Sequence, residues 1–107
     1  MNLTVIIPCF NCSKNIYKNF HKIYTKIKKY FRNVEFILID DGSDDNTKNS
    51  LKLIEKKFHN ILKNINKKNY GKSYSIIKGI KKAKGQKIIM YDSDIPYYKY
   101  LDYFLKK

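Results

Sequence analysis

One stretch of the chain, residues 36–47, restricts the fold more than any other. It reads Phe-Ile-Leu-Ile-Asp-Asp-Gly-Ser-Asp-Asp-Asn-Thr, so four apolar residues run without interruption into two acids, a glycine and a group of turn-forming residues. A continuous apolar run of this length is typical of a strand buried on both faces, and such strands occur mainly in parallel sheets. The stretch therefore predicts a parallel sheet in which one buried strand ends in a pair of carboxylates.

Asp40 and Asp41 are the two acids at the end of this predicted strand. Adjacent carboxylates repel each other and lose hydration there, so N–H groups of the following turn, a metal or a ligand with donors should compensate them. The rest of the motif has an ordinary structural explanation, because Gly42 suits a positive φ and residues 44–47 suit the start of a helix. Asp40 and Asp41 are therefore candidate site residues, and residues 44–47 are expected to cap a helix.

Strands and helices alternate along the whole sequence. The helical segments repeat apolar residues at helical spacing, with Lys on the opposite face. Strands are predicted over residues 3–8, 34–40, 60–66 and 87–91, and helices over residues 14–31, about 46–58, 73–84 and from Pro96 onward. Gly85 is expected to end the third helix as a C′ glycine. The order βαβαβαβα predicts one α/β domain over residues 1–107, with a parallel sheet and right-handed crossovers.

Three of the predicted strands end in residues suited to chemistry, namely residues 8–11, the Asp40–Asp41 pair, and Asp92 with Asp94. In an open parallel sheet, ligands bind beyond the carboxyl ends of the strands, where the strand order reverses. We therefore expect the three ends to meet in one cleft. Asp92 and Asp94 can both face one hard cation that keeps positions open for phosphate oxygens. Asp41, or failing that Asp40, can then accept a hydrogen bond from a nucleobase N–H.

The charge of the chain is strongly positive, at +14, with 23 Lys and Arg against nine Asp and Glu. All but one of the basic residues are Lys, spread along the predicted helices. Clusters of Arg, which favour planar recognition of phosphates and bases, do not occur, so nucleic acid is not the expected partner. Solvated helix faces and attraction to an anionic membrane surface both account for this pattern.

The sequence contains no apolar run long enough to cross a bilayer and no basic segment followed by an apolar one at its N-terminus. We therefore expect a cytoplasmic chain, with peripheral association at the membrane surface as a further expectation, and reduced cysteines. Cys9 and Cys12 form a C-x-x-C at a strand-to-helix junction, where a thioredoxin-like redox pair would lie. That alternative gives the acids at the other strand ends no role, and zinc would need two more ligands.

Taken together, these motifs resemble the N-terminal half of a family 2 glycosyltransferase, nearest to the transferases that use polyprenyl or dolichyl phosphate. The resemblance covers essentially the whole chain, and residues 40–47 are its most specific part. The matching blocks are residues 3–11, 40–47 and 69–72, Gly79 with Ala83 and Gly85, and Asp92-Ser93-Asp94. The resemblance implies a Rossmann-like GT-A fold, incomplete relative to a full GT-A domain.

The same resemblance implies a nucleotide-diphosphate sugar as donor, Mg²⁺ or Mn²⁺ as cofactor, inversion at the anomeric carbon, and a lipid-phosphate or saccharide acceptor. Carried over by position, Pro8, Cys9 and Phe10 would line the nucleoside pocket. Asn11 would order the loop that leads into the first helix.

For the acids, the resemblance implies that Asp41 holds the base, with Asp40 beside it. Asp92 and Asp94 would bind the ribose–diphosphate region and the metal, with Asp94 as the direct metal ligand. Lys72 would approach the diphosphate.

The sequence departs from the family pattern in two places. Family members continue well beyond residue 107, so the general base and the acceptor site are expected beyond Lys107, and no residue here is assigned as the base. In the polyprenyl-phosphate branch a polar residue that helps to hold the metal often follows the second acid by two positions, where this chain has Pro96. The alternative function is a non-catalytic basic α/β module that binds nucleotide or nucleic acid.

Overall fold

Four parallel strands and three helices alternate along the chain. The computed structural model describes residues 2–93, so the helix predicted from Pro96 lies outside the described residues. The strands are β1 (Leu3–Cys9), β2 (Val34–Asp40), β3 (Ile61–Ile65) and β4 (Lys87–Met90), and the helices are α1 (Ile16–Lys28), α2 (Thr47–Lys57) and α3 (Lys72–Lys82). Each bound lies within a few residues of its prediction. The predicted parallel α/β fold is confirmed.

The sheet has the order β3-β2-β1-β4, and every pair of neighbouring strands is parallel. The chain therefore moves outward from β1 to β2 and β3, and then returns to the other side of β1 to form β4. The strand order reverses at β1, and the carboxyl ends of β1 and β4 flank this point. In open α/β sheets this is the place where ligands bind.

The helices cover the two faces of the sheet. Helices α1 and α2 pack on one face, where Ile16, Phe20, Ile23 and Ile27 of α1 are all fully buried. Burial of an apolar side chain of this size stabilises the fold by about 1.5–3 kcal/mol. Helix α3 lies against β1 and β2 on the opposite face. Every residue of β2 is buried, as its uninterrupted apolar run predicts.

Gly85 does not end α3, and the prediction of a C′ glycine is wrong. The helix ends at Lys82, and Ala83 is already extended, with φ −69° and ψ 138°. Gly85 instead passes close to β1, because a Cβ atom there would lie 2.5 Å from the backbone nitrogen of Thr4. Its N–H donates to the Thr4 hydroxyl at 2.9 Å, and that hydroxyl donates to the buried carboxylate of Glu35 at 2.6 Å. A close approach to the strand therefore explains the glycine.

Asp45 ties the N-terminus of α2 to the loop that precedes α1. Its Oδ1 accepts from the backbone N–H of Thr47 at 2.9 Å and from the Thr47 hydroxyl, while its Oδ2 accepts from the Ser13 hydroxyl at 2.9 Å. The Thr47 hydroxyl in turn accepts from the N–H of Cys12 at 3.0 Å. Asn46 occupies the N-cap position but makes no side-chain capping bond. The predicted capping of α2 instead comes from Asp45, which accepts from the N–H of Thr47.

None of the helices within residues 2–93 combines the length and the apolar character that a membrane crossing requires.

A first prediction concerns Gly85. We expect Gly85→Ala to lower the free energy of unfolding by about 3 kcal/mol, the upper end of the usual cost of overpacking, because the new methyl meets strand backbone. Gly79→Ala is the control, since its Cβ would meet side-chain atoms of Ile6 at 2.8 Å. At position 79, replacing Gly by Ala stabilises the helix by about 1 kcal/mol, which offsets much of the energetic cost of that close contact. Urea denaturation measures both, and equal losses would contradict the assignment.

A second prediction concerns Asp45. The hydrogen bond from the Thr47 hydroxyl has the largest effect on the pKa of this carboxyl. Together with bonds from the Thr47 N–H and from the hydroxyl and N–H of Ser13, it lowers the pKa from 3.8 to about 2. A carboxyl with a depressed folded-state pKa stabilises the fold above its unfolded pKa and loses that contribution as the pH falls. Asp45→Asn should therefore be less stable than the wild type at pH 6, with a smaller difference at pH 3. Urea midpoints at both pH values test this, and a difference independent of pH would count against it.

Candidate functional site

A cleft of about 750 Å³ opens at the carboxyl edge of the sheet, beside the point where the strand order reverses. Residues from the ends of β1, β2 and β4 line it, together with the loop before α3. The predicted site residues that line it are Pro8, Cys9, Phe10, Asn11, Asp41, Lys72 and Asp92. The expectation that these strand ends meet in one cleft is therefore confirmed for the described residues.

The end of β1 forms one wall of the cleft. The Phe10 side chain is 46% exposed, although it is a large apolar group, while Cys9 is buried. Asn11 has a positive φ of 49° and links this wall to the turn after β2. Its N–H donates to the Ser43 hydroxyl and its side-chain oxygen accepts from the N–H of Asp44, both at 2.8 Å. Asn11 thus holds the loop before α1 against the acidic motif.

Asp40 and Asp41 are both buried, but they have different surroundings. The Oδ1 of Asp40 accepts from the backbone N–H of Ser43 at 3.0 Å and from the Ser43 hydroxyl at 2.5 Å. Asp40 does not line the cleft, whereas Asp41 does. The turn that follows β2 therefore compensates the first carboxylate, and the second is the acid that a ligand in the cleft can meet.

Asp41 is held by donors from the loop between β3 and α3. Its Oδ1 accepts from the N–H of Tyr70 at 2.9 Å and from the side-chain amide of Asn66 at 3.0 Å, and its Oδ2 accepts from the N–H of Gly71 at 2.9 Å. The carboxylate is only 5% exposed as a residue, so these three bonds offset much of its lost hydration.

Gly42 makes this arrangement sterically possible. Its φ is +69°, which confirms the predicted positive-φ turn. A Cβ atom there would lie 2.3 Å from the carbonyl carbon of Lys68. The turn after β2 therefore packs directly against the backbone of the loop before α3, which brings the amides of Tyr70 and Gly71 to the neighbouring Asp41.

Asp92 and Lys72 face each other in the cleft. The Nζ of Lys72 lies 2.6 Å from Oδ1 of Asp92, and both side chains are partly exposed, at 55% and 37%. An ion pair this exposed adds little to stability, so it leaves both groups free to exchange partners. Asp94, the other predicted metal ligand, lies outside the described residues. Within residues 2–93 no three His, Cys, Asp or Glu side chains form a group that could hold a metal ion.

Cys9 and Cys12 are both free thiols on the cleft wall. A hydrogen bond between them and burial raise the pKa of Cys9, while the same hydrogen bond lowers the pKa of Cys12. The zinc interpretation finds no further ligands in the part of the chain that the structure describes. Cys9 is buried, as a cysteine that packs as a small apolar side chain usually is.

Asn66 is not among the site residues predicted from the sequence, and of residues 69–72 only Lys72 has a predicted role. One signal was available, because Asn66 is the last residue of the strand predicted over residues 60–66, as Asp40 is of the strand predicted over residues 34–40. Nothing in the sequence indicates that a loop about 30 residues further on would donate to Asp41.

Comparison with known proteins places the chain in a family. The family model "Glycosyl transferase family 2" matches residues 4–101. An uncharacterized glycosyltransferase of Mycoplasma genitalium is 35% identical over 97 residues, which cover 88% of this chain and 32% of the relative. The undecaprenyl-phosphate 4-deoxy-4-formamido-L-arabinose transferase of Proteus mirabilis is 29% identical over 97 residues, covering 87% of this chain and 29% of the relative.

Two solved structures share the fold. The mannosyltransferase PcManGT of Pyrobaculum calidifontis, in complex with GDP-Man and Mn²⁺, superposes with a TM-score of 0.78 at 22% identity, covering 87% of this chain and 27% of its own. TarS 1–349 of S. aureus, in complex with UDP-GlcNAc, gives 0.74 at 26% identity, with 88% and 27% covered. The chain spans about a third of the length of the curated relatives it matches. With the family model matching nearly the whole chain and the sheet matching these structures, the chain belongs to glycosyl transferase family 2.

Proposed function

We propose that the chain forms the donor-binding part of an inverting glycosyltransferase and binds a nucleotide-diphosphate sugar in the cleft. The strongest support is the position of Asp41, a buried carboxylate that lines the cleft and accepts hydrogen bonds from three N–H donors. A carboxylate has about four acceptor positions. Three donors leave about one position for a ligand, which suits a single nucleobase N–H.

This geometry favours particular nucleobases. Uracil and guanine carry a ring N–H that an ionised carboxylate can accept. Cytosine and adenine present a ring nitrogen acceptor at the corresponding edge, so its lone pair would face the negative charge of Asp41. A site with one unfilled acceptor position discriminates against a ligand that cannot fill it. We therefore propose a uridine or guanosine nucleotide as the donor.

On the β4 side of the cleft, Lys72 and Asp92 are proposed to meet the diphosphate. Carboxylate oxygens are ligands that Mg²⁺ and Mn²⁺ prefer, and Asp92 lies in a cleft open enough for phosphate oxygens to share the ion. Asp92 therefore fits as one ligand of the metal, and Asp94 is proposed as another. The ion would supply neutralisation of the negative charge that develops on the leaving diphosphate. Lys72 can leave Asp92 and pair with a phosphate instead.

The acceptor is proposed to be a lipid phosphate or a saccharide. A similar transferase from Proteus mirabilis is named for undecaprenyl phosphate, which favours the lipid class. The net charge of +14 favours association with an anionic membrane surface, where such an acceptor would lie. No residue within 2–93 is proposed as the general base, and we infer that other parts of the whole transferase supply it.

A third prediction tests donor binding. By calorimetry, we expect the chain to bind UDP or GDP more tightly than CDP and ADP, with tighter binding when Mn²⁺ is present. Asp41→Asn should weaken binding of the preferred nucleotide about 10- to 100-fold, the effect of losing a hydrogen bond to a charged group. Asp44→Asn is the matched control, since Asp44 is exposed and does not line the cleft.

The competing outcome is equally concrete. Binding of any polyanion, lost at moderate salt and indifferent to Mn²⁺, would support the basic α/β module and contradict the transferase proposal.

A fourth prediction concerns Lys72. If its ammonium pairs with the diphosphate, Lys72→Met should weaken binding of UDP about tenfold, which corresponds to about 1.4 kcal/mol. Binding of uridine, which has no phosphate, should not change. Lys48→Met, at an exposed position of α2, provides the control for net charge. Equal losses in the two variants would show that only the overall charge of the chain matters.

A further inference from the structure

Asn66 lies at the end of β3 and is only 3% exposed, although it carries a polar side chain. Its amide nitrogen donates to Oδ1 of Asp41 at 3.0 Å and to the hydroxyl of Ser75 at 3.1 Å. Its amide oxygen accepts from Nζ of Lys78 at 3.2 Å and from the side-chain amide of Asn64 at 3.1 Å. An asparagine side chain has two donor hydrogens and two acceptor lone pairs, so all four are used.

The neighbours of Asn66 leave its amide one orientation. The ammonium of Lys78 lies on the oxygen side and the carboxylate of Asp41 on the nitrogen side. An amide flip would set the oxygen against the carboxylate and the NH₂ group against the ammonium, and both contacts would then be repulsive. The side chain therefore presents a donor hydrogen to Asp41 in a fixed direction.

The contact of the Asn66 side chain with Asp41 is separate from the hydrogen bond that its backbone makes in the sheet. Asn66 already has its backbone N–H bonded to the carbonyl oxygen of Asp40 at 2.8 Å, which continues the sheet. Ser75 is fully buried and could pair with a smaller polar group. What only a side-chain amide at position 66 provides is a link from the cation Lys78 on α3 to the carboxylate that lines the cleft.

We propose that Asn66 is a positioning residue, which holds the Asp41 carboxylate so that its one remaining acceptor position is presented to the nucleobase. The inference rests on the proposed donor-binding function and deepens it. Without Asn66, Oδ1 of Asp41 keeps only the N–H of Tyr70 as a partner. Two acceptor positions are then unfilled, and only the N–H groups of Tyr70 and Gly71 hold the carboxylate, so it no longer presents a single position to one ring N–H. Asn66 itself does not line the cleft, so it acts through Asp41.

The test compares nucleotide preference, which loss of stability alone would not change. In the full chain we expect UDP or GDP to bind at least tenfold more tightly than CDP. In Asn66→Ala the preference should fall to within about threefold of equality, while binding of inorganic diphosphate is unchanged. The double variant Asp41→Asn, Asn66→Ala should lose no more nucleotide preference than Asp41→Asn alone, because both substitutions disrupt the same interaction with the nucleobase.

Matched variants separate this role from a general effect on the fold. Asn64→Ala removes a neighbouring asparagine that contacts Asn66 but not Asp41, and should keep the preference. Lys78 lies on α3, and its ammonium orients the Asn66 amide. Lys78→Met removes this cation, so it tests the positioning of Asp41 through Asn66 even if Asn66→Ala does not fold. We expect it to lower the preference at least threefold, while Lys81→Met, one turn further along the exposed side, leaves it unchanged.

A measurement without nucleotide keeps this inference separable from the proposed function. Amide hydrogen exchange at Tyr70 and Gly71, whose N–H groups bond to Asp41, should be faster in Asn66→Ala than in Asn64→Ala. Unchanged exchange, or a nucleotide preference retained in Asn66→Ala, would overturn the positioning role. If the wild type shows no preference while exchange quickens as expected, the proposed nucleobase contact fails and the positioning of Asp41 stands.

Discussion

The buried carboxylate of Asp41 is the constraint on which the functional end of the structure depends. A charge this deep must be met by donors, and three N–H groups from the end of β3 and the loop before α3 meet it. To reach it, the loop has to pass over the end of β2, and it packs so closely there that position 42 has no room for a Cβ atom. One electrostatic requirement thus sets the path of a loop and the wall of the cleft.

Apolar burial and polar ties have separate tasks in this fold. The buried apolar residues of β1 and β2 and the buried faces of the helices favour a parallel sheet that is covered on both faces. At the carboxyl edge the apolar residues stop, and hydrogen bonds that the side chains of Asn11, Asp45 and Thr47 accept from backbone N–H groups hold the loops together. The apolar core therefore positions the strands, and these hydrogen bonds between the loops give the cleft its shape.

Membership of glycosyl transferase family 2 gives the cleft a chemical context. The described residues bring one buried acid, Asp41, and the ion pair of Lys72 with Asp92 to the same cleft, and we propose the first for a nucleobase and the second for a diphosphate. The chain spans about a third of the length of the matched relatives, and the proposed donor functions lie within that third. The proposed link through Asn66 would let Lys78 of α3 influence the donor site without touching the ligand.

The amino-acid pattern alone was enough to predict the parallel fold, the element bounds to within a few residues and about half of the residues that line the cleft, because apolar periodicity and strand ends are local signals. Two features were not predicted correctly: the reason for a glycine at position 85, which is a close approach to β1, and the contact of Asn66 with Asp41. Both depend on contacts with distant segments, Gly85 with Thr4 and Asn66 with Asp41. Which of the two adjacent acids serves the turn, and which lines the cleft, depends on the folded arrangement of the loops around them. The reason is physical: a carboxylate's role is set by the donors that surround it in space, and those donors are separated from it by many residues of chain.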